Sequence, residues 1–258
     1  MEISNIIIDC INNKKPVSFS KYGDGEYFCA NFNDGNKYGG HNCDKDNYTD
    51  KKKTELINSF KYMVDETPNA YIGFWNDGNQ CKFWNSLVSK DVNWAKYHTF
   101  IMDDDSINEK IDLYKTIKFS PIKKIYICNP LLIKAKKLLN IDHMVHVPFN
   151  NWFDNLFDEV INNLKNIINP HEQYIIMTSA GMGAKCLISE LTKLFPNNIY
   201  LDIGSALDTI CTKRATRDRY RSYEKIMHHL RDIIPDDWNS NEYDYIYNEA
   251  RVKLGLHM

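Results

Sequence analysis

The part of this chain that leaves the fewest choices is the run from Gln173 to Ile203. It reads as an apolar β-type segment (Gln173-Tyr174-Ile175-Ile176-Met177), a turn holding Gly181 and Gly183, a helical stretch to Leu194, and a second strand, Ile199-Tyr200-Leu201-Asp202-Ile203. Strand, turn, helix and strand within about 30 residues is the size of a βαβ unit. The same alternation of short β-branched or aromatic runs with helical patterns extends along the chain and favours parallel strands joined by helices. Further strands are expected at residues 17–20, 70–74, 124–128 and 144–147, and further helices at 2–13, 25–31, 50–64, 130–139 and 152–167. Asn129-Pro130 supplies a helix start, with proline at the first helical position. No repeat, low-complexity block or linker divides the 258 residues. One α/β domain over 1–258 is therefore expected, with a mostly parallel sheet flanked by helices. Its tail, 222–258, reads as a helical extension split in two near Pro235.

Composition narrows the function classes. Hydrophobic residues make up 43% and charged residues 26%, as in ordinary globular proteins. The net charge of −2 offers no basic field for nucleic acid or an anionic membrane. No run approaches the ~18 apolar residues of a transmembrane helix, and the first residues lack the basic-then-apolar pattern of a signal peptide. The seven cysteines are scattered without a CxxC pair, which reads as free thiols in a reducing compartment. A cytoplasmic chain is expected.

Four segments carry residue types suited to chemistry. The first is Lys21-Tyr22-Gly23-Asp24-Gly25-Glu26, at the end of a strand. Two carboxylates one residue apart can converge on a hard divalent cation, Mn²⁺ or Mg²⁺, when the backbone turns sharply, and Gly23 and Gly25 permit the turn. Asp-Gly is also a common surface turn. The second is Ser179-Ala180-Gly181-Met182-Gly183, after a strand and opening a helix, where free backbone N–H groups and the helix dipole favour a diphosphate. Tight strand–helix packing explains the same glycines without a ligand.

The third segment is Asp202-Ile203-Gly204-Ser205-Ala206-Leu207-Asp208, at the next strand end, where an acid lies beside the ligand crevice of an open α/β sheet. A methyltransferase would also accept a strand ending in Asp-Ile-Gly, and Asp208 can simply cap the segment that follows. The fourth runs from Lys213 to Arg221 and includes Arg217, a guanidinium able to neutralise a leaving diphosphate or to sit in a solvated charge run. The segment from His41 to Asp46 has no second ligand pair at metal spacing and so makes no zinc cluster. GxSxG and HExxH are absent.

In order along the chain, these motifs resemble the GT-D-type glycosyltransferases, whose first motif is R-x-G-D-G-E after a strand. Here it stands as Lys21 to Glu26, and the family's D-I-G-x-x-D stands as Asp202 to Asp208. Asn42-Cys43-Asp44 and Val147-Pro148-Phe149-Asn150-Asn151-Trp152-Phe153 extend the likeness, which spans about Pro16 to Asp208. Lys21 replaces the family's arginine, and Ser205 stands where a histidine is common. The resemblance implies a Rossmann-like single domain and a transfer from a nucleotide-diphosphate sugar, a UDP-sugar favoured, to a glycan, glycoconjugate or other hydroxyl acceptor. It also implies a divalent metal on Asp24 and Glu26. The expected catalytic residues are Asp24, Glu26 and Asp208. Donor contacts are expected from Lys21, Gly23, Gly25, Ser179, Gly181, Met182, Gly183, Asp202, Gly204, Ser205 and Arg217. The competing classes are an S-adenosylmethionine-dependent methyltransferase and a non-catalytic nucleotide-binding module.

Overall fold

The computed structural model describes residues 2–32, 40–74, 78–103, 105–212, 222–239 and 241–253. Its strands are β1 (Val17–Tyr22), β2 (Ala70–Phe74), β3 (Trp94–Lys96), β4 (Lys123–Cys128), β5 (His143–His146), β6 (Tyr174–Ser179) and β7 (Ile199–Asp202). They form one seven-stranded sheet in the order β3-β2-β1-β7-β6-β4-β5, with every neighbouring pair parallel. The α/β class with a parallel sheet is the one the βαβ pattern implied. Thr178 pairs in register with Asp202, and Cys128 with Ser179. The carboxyl ends of β4, β6 and β7 therefore finish at one edge, beside the end of β1.

Helices cover both faces. Phe19, Tyr126, Met177 and Leu201 meet Ile7 of α1 (Ile3–Asn12) and Leu113 and Ile117 of α5 (Ile107–Phe119). On the other face Tyr22, Ile127, Ile176 and Tyr200 meet Leu56 and Phe60 of α3 (Asp50–Asp65), Leu164 of α7 (Trp152–Ile167), and Leu187 and Leu191 of α8 (Gly183–Leu194). Strands covered on both sides carry apolar residues in unbroken runs, which is how β4, β6 and β7 read. β1 departs from that rule: Ser18, Ser20 and Lys21 are buried polar residues.

The remaining helices are α2 (Asp24–Ala30), α4 (Gly78–Asn85), α6 (Ala135–Leu139), α9 (Asp208–Thr212), α10 (Tyr223–His229) and α11 (Asp244–Lys253). The helix expected over 130–139 is instead a 3₁₀ turn, Pro130–Leu132, followed by the short α6. The Asn129 side chain accepts the Leu131 N–H at 3.0 Å, and i→i+3 bonds such as Leu132 N–H to Asn129 O at 3.1 Å keep the segment tightly wound. In the tail, Ile226 of α10 joins the same buried cluster as Leu230, Ile233 and Trp238. α11 lies against the 3₁₀ turn. Among the described residues no helix is long and apolar enough to cross a membrane.

Candidate functional site

A cleft of about 400 Å³ opens where β1, β7, β6 and β4 end. In an open parallel sheet this edge is where ligands bind, because the loops there diverge to either face. The cleft floor is organised by one lysine. Lys185, in the first turn of α8, sends its ammonium to Glu26 Oε1 at 2.8 Å, to Asp202 Oδ2 at 3.0 Å and to the Gly181 carbonyl at 3.1 Å. Burial alone would push its pKa down, but the Asp202 and Glu26 carboxylates outweigh that and hold it well above the usual lysine value. A single side chain thus joins the three strand-end motifs.

Each partner is held from another side as well. Asp202, 1% exposed, accepts the Lys21 backbone N–H at 3.1 Å and, through Oδ1, the Gly204 N–H at 3.1 Å. Glu26 accepts the Gly23 N–H at 2.9 Å through Oε2, closing the start of α2 from its N3 position. Lys21 donates to Ile203 O at 3.0 Å and lies 5.0 Å from the Tyr97 ring centroid. Ser179 accepts from the Tyr126 hydroxyl at 2.7 Å and donates to Gly204 O, tying the loops after β6 and β7 together. Gly204 has φ +54°, and a Cβ there would run into Lys21 Nζ, so the turn requires glycine.

The expected residues divide clearly. Lys21, Asp24, Gly25, Glu26, Ser179, Gly181, Met182, Asp202, Gly204, Ser205 and Asp208 line the cleft. Gly23 is buried behind it, its N–H committed to Glu26. Gly183 serves packing in this structure: a Cβ there would lie 2.7 Å from the Trp152 ring. Arg217 lies outside the described residues.

Several lining residues were given no site role by the sequence, although Asn42-Cys43-Asp44 belonged to the family likeness. Asn42, Cys43, Asp44 and Asp46 form one wall. Asn42 Oδ1 folds this loop by accepting the Asp44 and Asp46 N–H groups, each at 2.9 Å. The fully buried Lys52 ties it down through Asp46 at 2.9 Å and Asp154 at 3.2 Å. Tyr97 also lines the cleft, its phenol pushed up by burial and by the negative charge of Glu26. Tyr247 and Arg251 reach the cleft from α11, with the Tyr247 hydroxyl 3.4 Å from Thr212 O.

Among the described residues no three His, Cys, Asp or Glu side chains gather to cage a metal ion. A cation that keeps waters and phosphate oxygens in its shell needs only one or two carboxylates. Asp24 meets that requirement: it is exposed on the cleft, and its recorded bond is from the Gly25 N–H to Oδ1 at 2.9 Å. Glu26, as held here, has both oxygens engaged.

A parallel sheet with a crevice at the carboxyl ends of its central strands defines the α/β class in which that edge commonly holds a ligand. The chain is similar to two solved structures of the domain of unknown function 1792, one of them selenomethionine-substituted. Each is 15% identical over 90% of this chain and 87% of the other, with TM-scores of 0.54 and 0.55. The second is described as having a distinct glycosyltransferase fold. The fold implied by the sequence resemblance is the fold observed. No family model and no curated protein matches the sequence.

Proposed function

We propose that this chain is a glycosyltransferase that takes a sugar from a nucleotide-diphosphate sugar, a UDP-sugar favoured, and passes it to a hydroxyl of a glycan or other acceptor. What carries the reading is that the carboxylate loop after β1, the first turn of α8 and the Asp202–Gly204 turn all face one cleft in a glycosyltransferase fold. The first turn of α8 carries the positive end of the helix dipole, which suits the donor diphosphate, although its Ala184 and Lys185 N–H groups, expected free from the sequence, bond back to Gly181 O and Met182 O. Asp24 is the residue that would hold Mg²⁺ or Mn²⁺ against it. When bound, such a cation offsets negative charge gathering on the leaving nucleoside diphosphate.

Asp202 is 1% exposed and already holds three donors, so recognition of sugar hydroxyls falls to Ser205 and Asp208 on the following turn. Asp208 is half-buried on the cleft and is assigned as the base that takes the acceptor proton as the new glycosidic bond forms. Arg251 adds positive charge from α11.

The test is a thermal-shift series with UDP- and GDP-sugars, S-adenosylmethionine and NAD, each with and without Mn²⁺. A ligand bound at a hundredfold above its Kd stabilises by about 2.7 kcal/mol, enough for a clear upward shift. Stabilisation that requires both Mn²⁺ and a nucleotide sugar is the expected result. Metal-independent stabilisation by S-adenosylmethionine would overturn the proposal.

A further inference from the structure

We propose that the two carboxylates of the Asp24–Glu26 pair have separate duties. Asp24 alone meets the cation, and Glu26 is a positioning residue, one arm of a Glu26–Lys185–Asp202 bridge that holds three strand ends in fixed relation. The inference rests on the nucleotide-sugar reading for the cation and on geometry for the division.

An ammonium has three N–H donors and no acceptor. Lys185 has three acceptors, Glu26 Oε1, Asp202 Oδ2 and Gly181 O, within 3.1 Å, so its donor capacity is filled. The side chains of Lys185, Glu26 and Asp202 are 6%, 8% and 1% exposed, so water does not compete for these bonds. Glu26 Oε2 is taken by the Gly23 N–H at 2.9 Å. A divalent cation on Glu26 would therefore have to share Oε2 with a backbone donor or stand against a fixed ammonium 2.8 Å from the other oxygen. In a poorly hydrated site that repulsion is severe. Asp24 carries neither burden: it is exposed, on the cleft, and bonded through Oδ1 to the next residue's N–H.

The bridge also explains why the loop presents Asp24 at all. Glu26 pins Gly23 and so fixes where α2 starts, and α2 starts with Asp24. Lys185 brings α8 to the same point, and Asp202 adds β7. Bridge charge is balanced further by Lys21, whose backbone N–H binds Asp202 and whose ammonium reaches Ile203 O.

Calorimetric titration of MnCl₂ in the presence of UDP, paired with thermal melting, tests the division on three variants. Asp24→Asn should lose about tenfold or more in Mn²⁺ affinity and keep the wild-type melting temperature. Glu26→Gln should melt several degrees lower and bind Mn²⁺ within about threefold of wild type. Should Glu26→Gln not fold, the neutral triple Glu26→Gln/Lys185→Met/Asp202→Asn supplies the reading, because removing all three members of the buried bridge leaves no unpaired charge among them. That triple variant is expected to fold and to retain Mn²⁺ binding. A folded Glu26→Gln or triple variant that loses Mn²⁺ as fully as Asp24→Asn overturns the division and leaves the glycosyltransferase reading standing. A wild-type protein that takes up no Mn²⁺ with UDP overturns the metal-assisted reading itself, and the division with it.

Discussion

Single residues decide whether the cleft keeps its shape, and Gly204 is the sharpest case. Its φ of +54° costs a residue with a Cβ roughly 1–2 kcal/mol by itself. Gly204→Ala must also dislodge the Lys21 ammonium from Ile203 O, so a total loss of about 2–4 kcal/mol is expected in urea denaturation. Gly25→Ala is the matched control. There a Cβ would meet Asn42 at 3.5 Å, ordinary contact, inside a helix where alanine is the better former, so stability should change by less than about 1 kcal/mol. Equal losses at both positions would show that the backbone conformation at Gly204 carries no special weight. Asp24, Gly181 and Asp202 were legible because strand ends punctuated by glycine and acid announce themselves locally. Lys185 was not. A lysine in the first turn of an amphipathic helix reads as solvated, and only the pairing of β7 with β1 on one side and β6 on the other gives it two buried carboxylates.

At the scale of elements, the central strands were legible because burial on both faces writes them as apolar runs, whereas β3 is three residues long and half-buried, too short for any period. The α5 pattern was present and passed over: Ile107, Ile111, Tyr114 and Ile117 recur at helical spacing. The tail helices were expected, but their role was not, since reaching the cleft depends on α11 folding back against the 3₁₀ turn after β4. That contact makes α11 part of the candidate site through Tyr247 and Arg251. If the Arg251 guanidinium serves the donor diphosphate, Arg251→Gln should weaken UDP binding about tenfold, the scale of one hydrogen bond to a charged group. The loss should shrink as salt rises, since screening already weakens the wild-type interaction. Calorimetry at two ionic strengths checks both points. Unchanged affinity at low salt would confine α11 to packing.

For the molecule as a whole, the buried thiols set an alkaline limit. All seven cysteines are free, and Cys10, Cys29, Cys128, Cys186 and Cys211 are buried. Burial pushes every one of these five thiols up, Cys29 and Cys186 from 9.0 to about 12. Below pH 9 such a thiol is protonated in folded and unfolded chains alike and contributes no pH dependence. Between 9 and 12 the unfolded chain releases its protons while Cys29 and Cys186 keep theirs in the fold. The unfolded state then binds fewer protons, so stability falls as pH rises. By about pH 10.5 the loss is on the order of 2 kcal/mol for each of the two. Lys185 acts in the same direction but only above its ordinary value of 10.5, where the unfolded chain loses the charge that the bridge preserves. The interval from about pH 9 to 10 therefore belongs to the thiols, before Tyr22, Tyr97, Tyr126 and Tyr200, whose phenols burial pushes above 10.0, add to the loss. Urea midpoints measured across it should fall steeply for the wild-type protein. Cys29→Ala/Cys186→Ala should start lower, because two buried sulfur atoms are lost, and fall less steeply, because two of the proton-releasing groups are gone. Parallel slopes for the two proteins would mean that these thiols are not what limits the fold in alkali.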